Sequence, residues 1–350
     1  MNRRDLLRAL ALSPLLVTPL AHALPGERKV VAAAFGRLPP PPAVGRVFAA
    51  GAPAAVLVYA LAPATLLGWP MKLDAQARWL LPRVSVGLPY LGKLAGRGST
   101  VTTESLLALH PDLVLDAGSV DPTYLSGAER VWQQTRLPYV LIDGQLQDHP
   151  AQLREVGRLL GVPARGEALA AGAERILALA RQVRAGVPEA ERPRVYYGRD
   201  PDGLLTGLEG SINMQAIALA GGRNVAAQAG RGGLTRVSME QVLAWDPEVI
   251  VTQDPAFAGS VLQNPLWRAV SAVRAGRVHL APSVPFGWLD GPPSVNRLLG
   301  VHWLLSKLYP GRDTRLAPAQ MAAAVSDFHR QLYGSAPPDG FLPEAAELPA

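Results

Sequence analysis

Residues 102–115, TTESLLALHPDLVL, return in altered form at 238–251 as SMEQVLAWDPEVIV. Each copy opens with a small polar residue and a glutamate, Glu104 or Glu240. Each then runs through a short apolar stretch to a proline seven residues after the glutamate, Pro111 or Pro247. Thr103 or Ser238 can cap a helix start, with the acid in its first turn. The proline stops that helix, and the apolar run behind it reads as a buried strand. Two copies so far apart predict two similar α/β lobes, each presenting one glutamate at its surface, with the working cleft between them.

The chain has 350 residues, enough for two domains with cores of their own. MNRRDLLR, ALALSPLLVTPLA and then Ala21-His22-Ala23 predict a cleaved signal peptide over 1–23. Its apolar stretch, broken by Pro14 and Pro19, is too short to span a membrane. Arg3-Arg4 fits twin-arginine export and ordinary secretion alike. The chain has no cysteine, which excludes a disulfide framework and a lipid-modified N-terminal cysteine. These features predict a free, soluble, unanchored periplasmic protein. The formal charge is +6, of which Arg3, Arg4 and Arg8 against Asp5 supply +2. The remaining basic residues are scattered and follow no aromatic stripe, so nucleic-acid binding is unsupported.

Residues 24–44, with LPPPPAV at 38–44, read as a Pro-rich extended lead-in. An N-terminal α/β lobe is expected over 45–162. It has strands at 46–51, 112–118 and 139–143 and helices at 53–61, 125–135 and 149–160. Such alternation argues for mainly parallel sheets. ARGEALAAGAERILALARQVRAG, 164–186, is rich in helix formers and lies between Pro163 and Pro188. Residues 163–188 therefore read as one stiff linking helix. A C-terminal α/β lobe over 189–334 follows. Its strands are expected at 194–199 and 278–282, and its helices at 211–220, 292–310 and 316–332. A loose Pro- and Ala-rich tail is expected over 335–350.

These elements in order resemble the periplasmic binding proteins of ABC importers for iron–siderophore, haem and cobalamin, the class III substrate-binding proteins with a helical backbone. The segments carrying the resemblance are PYLGKLAGRGSTVTTESLLALHPDLVL, the long helix, GLTRVSMEQVLAWDPEVIV and RVHLAPSVPFGWLDGPPSVNRLLG. It covers roughly 45–332. It implies two Rossmann-like α/β lobes joined by one long rigid helix, with a bulky metal chelate bound between them. It further implies a transport role without catalysis, most simply ferric siderophore import. Molybdate or tungstate, a nickel complex, haem or cobalamin are alternatives. The implied partner is an inner-membrane permease with its ATPase, met through one surface glutamate per lobe; Glu104 and Glu240 match those positions. The receptor is expected to be a monomer without a cofactor.

Loops after strands are where open α/β sheets bind ligands. That places Tyr90, Arg97 and Tyr124 as first-lobe candidates and Tyr197, Arg199, Arg236, Phe286 and Trp288 as second-lobe candidates. Arg199 either pairs with Asp200 and Asp202 or clamps an oxyanion in bidentate fashion. Phe286 and Trp288, in a Pro/Gly-rich loop, either cover the helix behind them or wall a chelate. Asn296 and Arg297 read as structural. The histidines of the mature chain, His110, His149, His279, His302 and His329, are scattered without metal-ligand spacing, so no bare-metal site is expected. An axial tyrosine for haem, from Tyr90, Tyr124 or Tyr197, stays open. No G-x-S-x-G, H-E-x-x-H or P-loop is present, which argues against a chelatase-like enzyme. A ligand sensor docking through the same glutamates is the remaining alternative.

Overall fold

The computed structural model describes residues 30–95, 98–338 and 341. The expected signal peptide, Arg97 and most of the tail lie outside the described residues. The first lobe runs β1 (Val31–Phe35), β2 (Val47–Ala49), α1 (Ala52–Leu61), α2 (Ala75–Leu80), α3 (Arg83–Val86), α4 (Thr103–Ala108), β3 (Leu113–Gly118), α5 (Pro122–Thr135), β4 (Tyr139–Asp143) and α6 (His149–Leu159). Its sheet has the order β1-β4-β3-β2, parallel except for β1. That edge strand corrects the reading of 24–44 as a lead-in. VAAAF carries too little β-branched character to announce a strand, yet β4 offers its free edge. Phe35 then stacks on Trp132 of α5, with ring centroids 6.0 Å apart.

The linking helix α7 (Pro163–Ala185) spans about 35 Å at the usual rise per residue. It crosses α6 at two glycines. A Cβ on Gly157 would lie 2.9 Å from Gly166 Cα, and one on Gly166 would lie 2.6 Å from Leu153 O. Only glycine at both positions permits this approach.

The second lobe runs β5 (Arg194–Gly198), β6 (Leu205–Gly207), α8 (Gln215–Leu219), β7 (Arg223–Asn224), β8 (Leu234–Arg236), α9 (Met239–Trp245), β9 (Val249–Thr252), α10 (Pro255–Ser260), α11 (Ser271–Arg274) and β10 (Val278–Leu280). Its sheet, β10-β9-β5-β7, is wholly parallel. β6 and β8 form a separate antiparallel pair. Two helices follow. α12 (Arg297–Leu308) packs on α7 and α8, and α13 (Pro318–Tyr333) returns to α1 of the first lobe. There Tyr59 donates from its hydroxyl to Tyr333 O at 3.2 Å. One apolar cluster therefore runs without a break from Val47 and Leu57 through Leu177 to Val251 and Leu304.

The repeated segment takes the same form twice. α4 and α9 each carry the glutamate at their second position, after the caps Thr102 and Ser238. The cap of the first copy is Thr102, one residue before the expected Thr103; its Oγ1 accepts from Ser105 N at 3.2 Å. A residue with positive φ precedes each proline, His110 at 44° just past the Leu109 cap of α4 and Asp246 at 40° as the cap of α9. The proline that follows disfavours the right-handed helical conformation there. β3 and β9 begin next.

Four histidines, His149, His279, His302 and His329, are buried or largely so. Burial is the leading cause that holds each below the ordinary imidazole value, to about 3 for His149 and about 4 for His279 and His329. Below about pH 6.5 the unfolded chain takes up these protons and the native state does not, so stability is present above 6.5 and lost on acidification. Each histidine contributes about 1.4 kcal/mol per pH unit between 6.5 and its native value. Asp116, raised to about 6 chiefly by burial, opposes this by one proton. Chemical denaturation from pH 7 to 4 is expected to lose stability with a slope of roughly two to three protons; a flat profile would contradict it.

Candidate ligand cleft

Arg199 follows the carboxyl end of β5, where Gly198 leaves the sheet. Its backbone N–H donates to Leu205 O at 2.9 Å, which fixes the turn. Its Nε donates to Asp290 Oδ2, and Asn213 Nδ2 donates to the same oxygen at 2.9 Å. The Asp290 side chain is 1% exposed and that of Arg199 20%. The carboxylate is thus enclosed while the Arg199 side chain stays partly exposed. Tyr197 lies beneath, its ring centroid 5.9 Å from Arg199 Cζ. Burial, and then the Asp290 charge, push the Tyr197 phenol far above its ordinary value, so it remains protonated. Asp290 itself is held by Gln253, whose Oε1 accepts from Asp290 N at 3.2 Å and from Leu289 N.

Arg297, the first residue of α12, is 0% exposed and joins the lobes. Its Nη2 donates to Gly144 O in the first lobe at 2.7 Å. Its Nη1 donates to Ile212 O at 2.9 Å and Gln215 Oε1 at 3.1 Å in the second. Its Nε donates to Ser294 O at 3.3 Å. All of these acceptors are neutral. Burial lowers its pKa to about 9, which leaves it charged at neutral pH. Around it Gln215 Nε2 donates to Gln145 Oε1 at 2.6 Å, and Ser294 Oγ donates to Pro53 O at 2.8 Å. His149 sets its Nε2 3.0 Å from Ser294 O. On the second-lobe side two guanidiniums, Arg199 and Arg297, therefore stand beside the carboxylate of Asp290, which Arg199 binds directly.

On the first-lobe side, α1 starts at Gly51 with no side-chain cap, which leaves backbone N–H groups at the carboxyl end of β2. Asp116 lies nearby, its Oδ1 4.0 Å from where a Cβ on Gly51 would stand. It accepts from Tyr139 Oη at 3.0 Å and from Ala117 N at 2.9 Å.

The expected site residues are distributed unevenly. Arg199 sits in the cluster just described, with Tyr197 buried under it. Tyr90 is 53% exposed on the first lobe. Tyr124, on α5, packs with Leu94 and Ala95 against the outer apolar cluster of that lobe. Arg236 is exposed and committed to Asp200 and Asp202. Phe286 and Trp288 do not wall an open cleft. They are 3% and 1% exposed, and Phe286 packs between Trp69 and Tyr333, with centroids at 5.7 and 5.6 Å. The loop folds down onto α12 because Gly300 leaves room: a Cβ there would lie 1.8 Å from Trp288 O. Asp290, Asn213, Gln253 and the cross-lobe role of Arg297 were missed. Asp290, a lone acid in the apolar run PFGWLDGPP, was the available signal.

Residues 74–285 match a family model described as periplasmic binding protein. The chain belongs to this family. A curated relative, the molybdate-binding protein MolA of Haemophilus influenzae, is 32% identical over 153 residues. That stretch is 43% of this chain and spans only 42% of the relative. Among solved structures, an ABC transporter solute-binding protein from Sulfurospirillum deleyianum is 29% identical, with a TM-score of 0.78 over 87% of this chain and 94% of its own. The structure of Haemophilus influenzae MolA bound to molybdate has a TM-score of 0.69 at 24% identity, over 86% of this chain and 96% of its own, a likeness of fold. Among the described residues no group of three or more His, Asp or Glu side chains is placed to hold a metal ion, and no helix is long and apolar enough to cross a membrane.

Arg297→Lys keeps the charge but loses the fork that reaches both lobes. Each buried carbonyl left unfilled costs roughly 1–3 kcal/mol. Thermal melting of the variant is expected to fall by several degrees; an unchanged midpoint would deny the seam its role.

Proposed function

We propose that the protein is the periplasmic solute receptor of an ABC importer and that its cargo is a tetrahedral oxyanion of the molybdate or tungstate kind. The observation that carries this reading is the pair of guanidiniums on the second-lobe side, Arg199 and Arg297, beside the one buried carboxylate of Asp290, with Asp116 across from them on the first lobe. A dianion entering the cleft would replace its water shell with fixed donors: the partly exposed Arg199 and the uncapped start of α1. No covalent step is involved, and α7 keeps the lobes nearly fixed while the ligand enters. The MolA relative supports the same ligand class. A ferric siderophore would ask for the aromatic wall that Phe286 and Trp288 spend in the core, so it ranks behind an oxyanion.

Glu104 and Glu240 suit docking on the permease. Both are exposed at the second position of matched short helices. Both carboxyls are held below the ordinary value, by the backbone N–H and Thr102 at Glu104 and by Ser238 and the backbone N–H at Glu240. They therefore stay ionised and available to arginines of a partner, acting through charge complementarity that weakens with salt.

Tryptophan fluorescence, with seven tryptophans in the chain, reads binding directly. Titration with molybdate, tungstate, sulfate, ferric hydroxamate and catecholate siderophores, haemin, cobalamin and nickel–histidine is expected to saturate with molybdate or tungstate. Saturation by a ferric chelate alone would replace the oxyanion reading. Arg199→Ala is expected to weaken the oxyanion by roughly 1.5–3 kcal/mol; undiminished affinity would confine Arg199 to its bridge with Asp290. The double variant Glu104→Ala, Glu240→Ala is expected to stop uptake in cells while leaving affinity intact, and a loss of affinity would remove the docking role.

A further inference from the structure

The basic residues, scattered over most of the chain, gather between 71 and 98. Lys72, Arg78, Arg83, Lys93 and Arg97 stand there against Asp74 alone, whereas residues 99–350 hold more acids than bases. The two most exposed large apolar side chains of the described residues lie in the same stretch, Trp79 at 71% and Val84 at 80%. They belong to two consecutive pairs, Arg78-Trp79 on α2 and Arg83-Val84 on α3, each a cation beside an apolar side chain. Lys72, Arg78 and Arg83 are exposed and form no ion pair among the described residues. Asp74 is engaged as the cap of α2, its Oδ1 accepting from Ala77 N at 2.7 Å.

This exposure does not come from a loose segment. Leu80 and Leu81 are buried, Ser335 Oγ donates to Leu80 O at 3.1 Å, and Trp69 Nε1 donates to Ser85 O at 2.8 Å. The two helices are therefore fixed from behind, with their outer faces uncovered. Further bonds tie them to α4, which carries Glu104. Trp69 N donates to Pro89 O and Leu91 N to Trp69 O, both at 2.8 Å. Lys93 N donates to Thr100 Oγ1 at 2.9 Å, two residues before the Thr102 cap.

A lone exposed apolar side chain is ordinary, but two set among unpaired cations of one sign ask for a particular neighbour. A small anion would engage the cations and leave Trp79 in water. An anionic bilayer surface engages both: it attracts Lys and Arg, and the indole ring favours the depth of its headgroups. We propose that the outer face of α2 and α3 is a membrane-docking surface that rests reversibly on anionic phospholipid headgroups. Arg78 and Arg83 meet the phosphates, while Trp79 and Val84 enter the headgroup layer. The use of this contact in uptake rests on the receptor reading; the contact itself does not.

The test uses protein recovered from the periplasm, so that wild type and variants share the same N-terminus. Vesicles of mixed phosphatidylglycerol and phosphatidylcholine are compared with phosphatidylcholine alone, by flotation and by the blue shift of tryptophan emission. The wild type is expected to bind the anionic vesicles at least about tenfold more tightly and to lose most of that binding at about 0.5 M salt. Arg78→Gln combined with Arg83→Gln is expected to remove most of the preference, and Trp79→Ala to weaken binding and abolish the blue shift. Because these side chains are exposed, melting midpoints and molybdate titrations of the variants are expected to match the wild type. Vesicle binding without any molybdate binding would sink the oxyanion reading and leave this surface standing. No binding to anionic vesicles, equal binding to both kinds, or binding that the variants leave untouched would overturn the proposal. A dimer that Trp79→Ala dissolves would assign the face to a second copy of the chain and overturn it as well.

Discussion

The guanidinium of Arg297 is the constraint on which the two-lobed arrangement rests. It is fully buried, and it reaches a first-lobe carbonyl, a second-lobe carbonyl and a glutamine that itself bonds across the seam. A buried charge is costly unless its hydrogen bonds are met, and here every nitrogen of the fork is engaged. Because the acceptors are neutral, the positive charge is not cancelled where it lies. The same contact that fixes the lobes therefore leaves a positive charge at the seam between them.

The segment from 282 to 296 joins structure to site. Phe286 and Trp288 fill the core, Ser294 bonds to the first lobe, and Asp290 holds Arg199 from within. The two cleft arginines are thus governed by one loop and the helix it feeds. α7 then sets the spacing of the lobes, and α13 closes the back by resting on α1. The unbroken apolar cluster through all of these elements explains why large opening of the lobes is not expected from this architecture.

Much of this was legible in the residue order. The paired segments at 102–115 and 238–251 predicted two matched helix–strand units, and both appear with the glutamate at the same helical position. The 23 residues of α7 announced themselves by composition. β1 did not, because an alanine-rich edge strand draws its stability from the neighbour it pairs with and little from its own side chains. The helix expected at 292–310 begins only at Arg297, since the preceding loop is held by tertiary bonds from Asn296 and Ser294. The aromatic wall was misread for a related reason. A Pro/Gly-rich loop with two aromatics fits a cleft or a core equally well until the gap above Gly300 is known.

Local sequence determined the elements whose cause is local: caps, the proline stops at Pro111 and Pro247, the long helix, and the alternation that yields parallel sheets. Family membership followed from their order. The tertiary structure alone decided which polar groups meet. Asp290 and Arg199 are 91 residues apart and Arg297 and Gly144 are 153 apart, and no periodicity encodes such pairs. Burial, a property of the assembled chain, turned Trp288 into core and Arg297 into a seam. Chemistry at this site is therefore a consequence of desolvation and distance, and both exist only once the fold has closed.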